Sequence, residues 1–253
     1  MSKNSLNNRW IVITRPVHQA SGLTKTLEKE GANVLSFPLL EIVEPTSVSL
    51  LHRQIKTLES YDLAIFISAN AVEKALQYID KTTLNQLSIA AVGKKTARCL
   101  AKHGLAVDYF PSQIFNSEAL LALDEMQQVQ GQEIAIFRGE GGRDYLRDTL
   151  VSRGAKVEYF NVYARRCPMQ SIEILKQYYQ ADKLDIIVLT SGESFNHLLR
   201  LAKGEPWFSK VPLLLGSERI REKFKDKYSA DTWVAPDPSD ETIYKILREW
   251  SIA

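Results

Sequence analysis

One stretch of this chain occurs twice, and that repeat limits the possible folds more than any other feature. Residues 10–45 match residues 133–168 position by position at an offset of 123. The matched pairs include Ile11/Ile134, Arg15/Arg138, Leu27/Leu150, Gly31/Gly154 and Pro45/Pro168. The offset is kept further along the chain by Asp62/Asp185, Ser68/Ser191, Gly93/Gly216 and Glu118/Glu241. A repeat of this length predicts two copies of one unit of about 120 residues, each large enough to bury a core.

Short apolar runs alternate with helical patterns within each copy. In the second copy, residues 134–137 favour a strand, a glycine-containing loop follows over 138–142, and Leu146 and Leu150 recur at helical spacing. Strands that are apolar on both faces predict parallel sheets covered by helices. We therefore expect an α/β fold with two flavodoxin-like, doubly wound parallel-sheet lobes joined by a two-stranded connector.

Four local features are predicted from turn and capping residues. Pro16 fits the first turn of a helix, and Ser117-Glu118 fits a helix N-cap. Residues 107–110 favour a strand that Pro111 ends. Residues 157–160 favour a strand that is followed by an extended connector.

Composition excludes several classes of protein. A chain of 253 residues with 45% apolar residues, 25% charged residues and a net charge of +2 is typical of a globular protein and gives no reason to expect nucleic acid. Cys99 and Cys167 are too few for a zinc site or a disulfide framework and are expected to be reduced. Residues 1–9 are polar, and no apolar run approaches the roughly 20 residues of a membrane span. We expect a cytoplasmic monomer that binds neither nucleic acid nor membrane.

Polar and glycine residues follow most of the predicted strands. Ligands of open parallel sheets collect at the carboxyl ends of strands, where helix N-termini present N–H groups. Each such residue alone is equally typical of a helix cap or a turn. Together they predict a ligand cleft lined with amides and hydroxyls. The candidate substrate-binding residues are Arg15, Ser68, Asn70, Gly93, Ser117, Arg138, Gly139, Gly141, Ser191, Gly192, Gly216 and Ser217.

Common cofactor and catalytic motifs do not match the chain. Residues 139–142, GEGG, lack the spacing of a dinucleotide fingerprint, and no Walker lysine-serine pair follows. The four histidines, His18, His52, His103 and His197, lack the spacing of metal ligands, so we expect no metal. No Ser-His-Asp order stands out either.

Several short segments are similar to those of a known family. They are ITRP (13–16), FPLLEI (37–42), FISANAV (66–72), AVGKKTA (91–97), FRGEGGRDYL (137–146), the VY of NVYARR (161–166) and LTSGESF (189–195). In this order they resemble the uroporphyrinogen-III synthase family of haem and tetrapyrrole biosynthesis. The resemblance covers nearly the whole chain.

The resemblance implies lobes that do not coincide with the repeats. One lobe would combine residues 1–38 with 168–253, and the other would be residues 43–163. The connectors between them would be residues 39–42 and 164–167.

The resemblance also implies a reaction. Members of this family act as hydro-lyases on the linear tetrapyrrole hydroxymethylbilane. The substrate loses its hydroxyl as water, and its ring closes through a spiro intermediate that inverts ring D. The product is uroporphyrinogen III. No cofactor is required, because the electron-rich pyrroles expel the hydroxyl once it is protonated. The substrate would be transferred from the preceding enzyme of the pathway. Holding the two ends of the substrate together should contribute more to the rate than proton transfer does.

The family's VY element marks Tyr163 as the catalytic acid. A phenol is protonated at pH 7 and can donate a proton. Composition alone favours the other role for Tyr163, that of a half-buried aromatic residue that serves packing. The first copy has Leu40 at the equivalent position, so the duplication predicts that the two copies differ in chemistry.

The equivalent arginines Arg15 and Arg138 are the cations expected nearest the carboxylates of the substrate. Their alternative role is a surface ion pair. A second class of function also fits the chain, namely a non-catalytic two-lobe sensor module that binds a small anion or a tetrapyrrole.

Overall fold

The computed structural model describes residues 6–252. Within them the strands are β1 (Trp10–Ile13), β2 (Asn33–Ser36), β3 (Glu41–Val43), β4 (Leu63–Phe66), β5 (Ser88–Ala91), β6 (Glu133–Gly139), β7 (Lys156–Arg166), β8 (Ile186–Leu189), β9 (Leu213–Leu215) and β10 (Thr232–Val234). The helices are α1 (Val17–Lys29), α2 (Val48–Ile55), α3 (Ala69–Ala75), α4 (Lys81–Leu84), α5 (Lys94–Lys102), α6 (Ser117–Leu121), α7 (Asp124–Gln127), α8 (Tyr145–Ser152), α9 (Glu173–Gln180), α10 (Gly192–Leu201), α11 (Glu218–Phe224) and α12 (Asp240–Ser251). Short 3-10 turns lie at Leu58–Ser60, Phe208–Lys210 and Lys225–Lys227.

The chain forms two compact units, which we call lobe one and lobe two. Lobe one ends at Glu41 and resumes at Arg166, and lobe two is the continuous segment Ile42–Arg165. The sheet of lobe one has the strand order β10-β9-β8-β1-β2, and the sheet of lobe two has the order β3-β7-β6-β4-β5. Every strand pair of lobe one is parallel, as are β4 with β5, β4 with β6, and β6 with β7 in lobe two. The expected α/β class with two doubly wound parallel sheets is confirmed.

The repeat and the lobes divide the chain differently. At the offset of the repeat, β1 corresponds to β6, β2 to the start of β7, β8 to β4, and β9 to β5. The order β9-β8-β1-β2 in lobe one therefore has the same arrangement as β5-β4-β6-β7 in lobe two. Lobe one takes its first two strands from the first copy and the others from the second, whereas lobe two does the reverse. The two lobes thus share a four-stranded arrangement built from a permuted order of the same units, to which lobe one adds β10 beside β9 and lobe two adds β3 beside β7.

Alternating side chains of each strand pack on opposite faces of the sheet. In lobe two, Ala64 and Phe66 join one buried cluster, whereas Leu63 and Ile65 join another. In lobe one, Ile187 and Leu189 join one cluster, and Ile186 and Val188 join the other. Burial on both faces explains why these strands read as continuous apolar runs in the sequence.

Four local expectations need correction. Residues 107–110 form a single bridge, Ala90 to Tyr109, because the Asp108 carboxylate accepts from the Ile89 amide at 2.7 Å and Pro111 ends the pairing. The cap of α6 is Asn116, whose side chain accepts from the Ala119 amide at 2.7 Å.

The other two corrections concern the start of α1 and the length of β7. Pro16 precedes α1, because its ψ of 138° is extended rather than helical. The strand expected at 157–160 and the connector after it are one continuous strand, β7, of 11 residues.

Candidate functional site

An irregularity in lobe two places Tyr163 beside the glycine loop. Arg138 of β6 lies opposite Asn161 of β7, but the register then shifts, and Gly139 lies opposite Tyr163. A shift of this kind re-aims a side chain and is common beside active sites. The Glu140 amide donates to the Tyr163 carbonyl at 2.9 Å and fixes the shifted register.

Gly139 is required by the ring of Tyr163. A Cβ at Gly139 would lie 2.5 Å from Cζ of that ring and nearer still to Cε2, closer than any real contact. The ring therefore lies across the bare backbone of β6, and the Tyr163 side chain is only 3% exposed. Its hydroxyl lies 3.3 Å from Oγ of Ser68, the residue that caps α3. Tyr163 of β7 thus meets Gly139 and Ser68 where β4 and β6 end.

Arg138 organises the loop that follows β6. Its guanidinium donates to the Gly141 carbonyl, to the Gly139 carbonyl at 3.2 Å and to Asp144 at 3.4 Å. Its Cζ also lies 4.2 Å from the centre of the Tyr159 ring, so that the cation is supported by an aromatic face. Gly141 has a φ of 72°, a left-handed conformation that favours glycine. Arg138 is 5% exposed, so it is a buried cation that holds the loop, and the alternative role of a surface ion pair does not describe it.

The loop borders a small cavity of about 200 Å³ in lobe two. Three arginines contribute to its wall, and the lining residues are Ile67, Val92, Ser117, Ile136, Arg138, Gly139, Gly141, Gly142, Arg143, Leu146, Tyr159 and Arg165. Pockets for whole drug-sized ligands measure about 300–1,000 Å³, so this one suits a single substituent of a larger ligand. Its arginines suit an acidic substituent.

Helix α5 begins with two exposed lysines, Lys94 and Lys95, directly after Gly93. No acidic residue lies in its first turn. Cations in a first turn oppose the helix dipole, and an anion bound there would remove the conflict. We infer that this end of lobe two favours an anion.

The equivalent end of lobe one is neutralised internally. Arg15 is 9% exposed and donates to Asp240 at 2.5 Å, to the Pro238 carbonyl and to Oγ1 of Thr190 at 3.3 Å. It therefore ties the ends of β1 and β8 to the start of α12. The ion pair therefore joins a buried guanidinium to a half-exposed carboxylate.

The other candidate residues of lobe one lie at the same end of the sheet. Ser191 caps α10 by accepting from the Ser194 amide at 3.0 Å, and Gly192 is the first residue of that helix. Gly216 packs against Thr190, whose Cα would lie 2.9 Å from a Cβ at Gly216. Ser217 precedes α11 without a side-chain capping bond.

The environment of Arg138 also changes the acidity of its neighbour. Burial, together with the hydrogen bond to Asp144, raises the pKa of the Tyr159 phenol above its ordinary value. Tyr159 donates to Oδ1 of Asp144 at 3.0 Å. Tyr159 therefore stays protonated at neutral pH and keeps Asp144 oriented toward Arg138.

Of the candidate residues in lobe two, Ser117, Arg138, Gly139 and Gly141 line the cavity, and Asn70 lies within α3 behind the Ser68 cap. Sequence reasoning missed Arg143 and Arg165 of the cavity wall and the lysine pair of α5. The basic first turn of α5 was the available signal for the lysines, because such a turn is unfavourable without an anion.

Residues 6–252 contain no group of three or more His, Cys, Asp or Glu side chains placed to hold a metal ion. None of the helices described there has the length and apolar character needed to cross a membrane.

Comparison with known proteins agrees with this architecture. The family model for uroporphyrinogen-III synthase HemD matches residues 21–245. The uroporphyrinogen-III synthase of Salmonella typhimurium is 31% identical over 247 residues, which cover 94% of this chain and 99% of that protein. The Escherichia coli enzyme of the same name is 29% identical with the same coverage.

Solved structures show a similar fold. A mutant uroporphyrinogen III synthase from Thermus thermophilus aligns with a TM-score of 0.63 and 18% identity, covering 96% of this chain and 98% of that one. Uroporphyrinogen-III synthetase from Helicobacter pylori aligns with a TM-score of 0.64 and 14% identity, covering 96% and 99%. The family model and the relative from Salmonella typhimurium show that the chain belongs to the uroporphyrinogen-III synthase family, whose members are enzymes of porphyrin biosynthesis.

Proposed function

We propose that this chain converts hydroxymethylbilane into uroporphyrinogen III, with loss of water and inversion of ring D, as a hydro-lyase. The observation that carries the proposal is the Tyr163 hydroxyl, held at the carboxyl end of the lobe-two sheet by Gly139 and Ser68. A proton donor and an arginine-lined cavity thus lie at the carboxyl ends of the strands of one sheet.

Tyr163 would act as the general acid. Its hydroxyl proton passes to the hydroxyl oxygen of the substrate as the carbon–oxygen bond breaks, and the bonding electrons leave with water. The pyrrole nitrogen stabilises the resulting cation with its lone pair. The substituted α-carbon of ring D bonds to this cation and forms the spiro intermediate, and its older bond to the bridging carbon of ring C then breaks. That bridging carbon bonds to the unsubstituted α-carbon of ring D, which loses a proton and so restores the phenol. The protein therefore ends each cycle unchanged, and no redox partner is needed.

The acidic arms of the substrate would be bound by cations and amides. The cavity beside Arg138 is large enough for one acetate or propionate arm, and the N-terminus of α5 with Lys94 and Lys95 offers a second position. Each helix N-terminus contributes about 0.3–1 kcal/mol toward a carboxylate. We propose the same role in lobe one for the amides that follow Ser191, Gly192, Gly216 and Ser217, and for Arg15 as the residue that orders them.

Incubation with hydroxymethylbilane tests the proposal. Because the type I isomer forms spontaneously, formation of the type III isomer is the result that supports catalysis. If only type I appears, the catalytic proposal is wrong. In that case, a titration with uroporphyrinogen III, followed by tryptophan fluorescence, tests the sensor interpretation. Saturable binding without turnover would favour the non-catalytic sensor module.

A further inference from the structure

Ser68 makes two different contacts with one hydroxyl. Its Oγ accepts from the Ala71 amide at 3.1 Å, which caps α3, and it also lies 3.3 Å from the hydroxyl of Tyr163. A serine hydroxyl has one proton and two lone pairs. Since the amide occupies a lone pair, the Ser68 proton remains available for the phenol oxygen.

We propose that Ser68 is a positioning residue that donates its proton to Oη of Tyr163; this rests on the proposed function. With its oxygen accepting from Ser68, the phenol directs its own proton away from Ser68 and toward the leaving hydroxyl of the substrate. The same hydrogen bond stabilises the phenolate that forms as Tyr163 releases its proton. One contact therefore orients the acid and strengthens it.

Lobe one shows that helix capping alone does not require this contact. Ser191 lies at the position equivalent to Ser68 and caps α10 in the same way, through the Ser194 amide at 3.0 Å. Its hydroxyl contacts Oγ of Ser194 at 2.9 Å, and Leu40 stands where lobe two has Tyr163. The cap is shared by both lobes, whereas the contact with a phenol belongs to lobe two.

Two further features of lobe two serve the same contact. The register shift after Arg138 brings Tyr163 opposite Gly139, and the missing side chain of Gly139 lets the ring cross β6. Without either feature the hydroxyl would not reach the end of β4, where Ser68 lies. The register shift and Gly139 therefore both serve one hydrogen bond.

A spectroscopic experiment tests the contact without relying on activity. The protein is labelled with ¹³Cζ-tyrosine, and the resonance of Tyr163 is assigned as the one lost in Tyr163→Phe. Ser68→Ala should shift this resonance, whereas Ser191→Ala, which removes an equivalent cap, should leave it in place. Both variants should lower the urea midpoint by similar amounts, because each loses one N-cap. An unmoved Tyr163 resonance in Ser68→Ala would overturn the proposal.

Turnover of hydroxymethylbilane tests the direction of the hydrogen bond. Ser68→Thr keeps the hydroxyl and should retain kcat within about 3-fold, whereas Ser68→Ala should lower kcat by about 10-fold with little change in KM. Ser68→Asp still caps the helix but can only accept, so it should capture the phenol proton and lower kcat further than Ser68→Ala does.

A Ser68→Asp variant as active as the wild type would show that Ser68 does not donate. If the wild type itself forms only the type I isomer, the proposed function fails, and the resonance of Tyr163 still decides whether the contact exists.

Discussion

The two lobes share a four-stranded arrangement and an arginine at the same position, but the two arginines have different surroundings. Arg15 is bonded to the Asp240 carboxylate at 2.5 Å, and the residue after it, Pro16, leads directly into α1. Arg138 is instead followed by the glycine loop, contacts the Tyr159 ring and borders a cavity with two further arginines. We infer that the shared fold determines where a ligand can approach each lobe, and that the residues that differ between the two copies determine whether a reaction occurs there.

Two fragments of the chain test whether its folding units follow the lobes or the repeats. Fragment 42–165 is lobe two and should unfold cooperatively on heating. Fragment 1–130 follows the repeat and has a similar length, but it lacks β8 beside β1 and β6 beside β4, so two apolar sheet edges are exposed. We expect it to aggregate or to show no cooperative transition by circular dichroism. A cooperative transition of fragment 1–130 would show that the lobes follow the repeats, and would remove the predicted boundaries 1–38, 43–163 and 168–253.

Gly139→Ala should damage lobe two more than any other single change. Its Cβ would overlap the Tyr163 ring, so the ring must leave its place, at a cost of about 1–3 kcal/mol. Because the proposed acid, Tyr163, is displaced as well, kcat should fall by at least about 10²-fold. Gly192→Ala in lobe one is the control for stability, since its Cβ would meet nothing closer than 3.5 Å. A Gly139→Ala variant with wild-type kcat would contradict the placement of Tyr163.

Tyr163→Phe removes the hydroxyl but keeps the ring on Gly139. We expect kcat to fall by roughly 10- to 10³-fold, because water can replace the phenol as acid while positioning is intact. The free energy of unfolding should change by no more than about 1.5 kcal/mol, the value of one hydrogen bond. Tyr61→Phe is the matched control, because the Tyr61 hydroxyl contacts Glu158 and lies before β4, at the opposite end of the strand. Equal single-turnover rates of ring closure for Tyr163→Phe and Tyr61→Phe would leave Tyr163 as a packing residue.

Replacing each arginine by methionine separates structure from binding. Arg15→Met leaves the half-exposed Asp240 without its partner and should cost about 1–3 kcal/mol in urea unfolding. Asp240→Asn in the same chain should recover little of that loss, because the half-exposed carboxylate is hydrated and lies in the first turn of α12, where a negative charge is favourable. Arg138→Met should raise KM by about 10-fold or more, since it removes a cation of the cavity wall. A larger KM change in Arg15→Met than in Arg138→Met would reverse the assignment of the two lobes.

The sequence was sufficient for the parts of the molecule that depend on periodicity. Because the parallel strands are buried on both faces, they appear in the sequence as continuous apolar runs. The repeat places Arg15 and Arg138 at equivalent strand ends. The contact between Tyr163 and Gly139 could not be predicted, because a register shift depends on two strands that are paired in space. Asn116 and Ser117 are both good caps, so the pattern could not distinguish them. Residues 107–110 have strand propensity, but the Asp108 side chain binds the Ile89 amide and limits the pairing to one bridge.

The smallest expected effect concerns Tyr159, which supports Arg138 and has Ser36 as its counterpart in lobe one. Tyr159→Phe keeps the ring beneath the guanidinium and removes the bond to Asp144, so at pH 8 it should cost about 0.5–1.5 kcal/mol in the free energy of unfolding. Burial and Asp144 raise the pKa of this phenol in the folded state above its value of about 10 in the unfolded chain. The folded state therefore binds the proton more tightly, so the stabilisation is complete below pH 10 and is lost as pH rises through the folded pKa.

The difference in unfolding free energy between wild type and Tyr159→Phe should consequently shrink when urea unfolding is repeated at pH values above about 10. Burial also raises the pKa of the Tyr61, Tyr78 and Tyr228 phenols, but these residues are common to both proteins and their contributions cancel in the difference. A difference that stays constant from pH 8 to about 11 would mean that Tyr159 titrates alike in the folded and unfolded chains. In that case its hydroxyl would not orient Asp144, and Arg138 would be held by its backbone contacts, as Arg15 is in part held by Pro238.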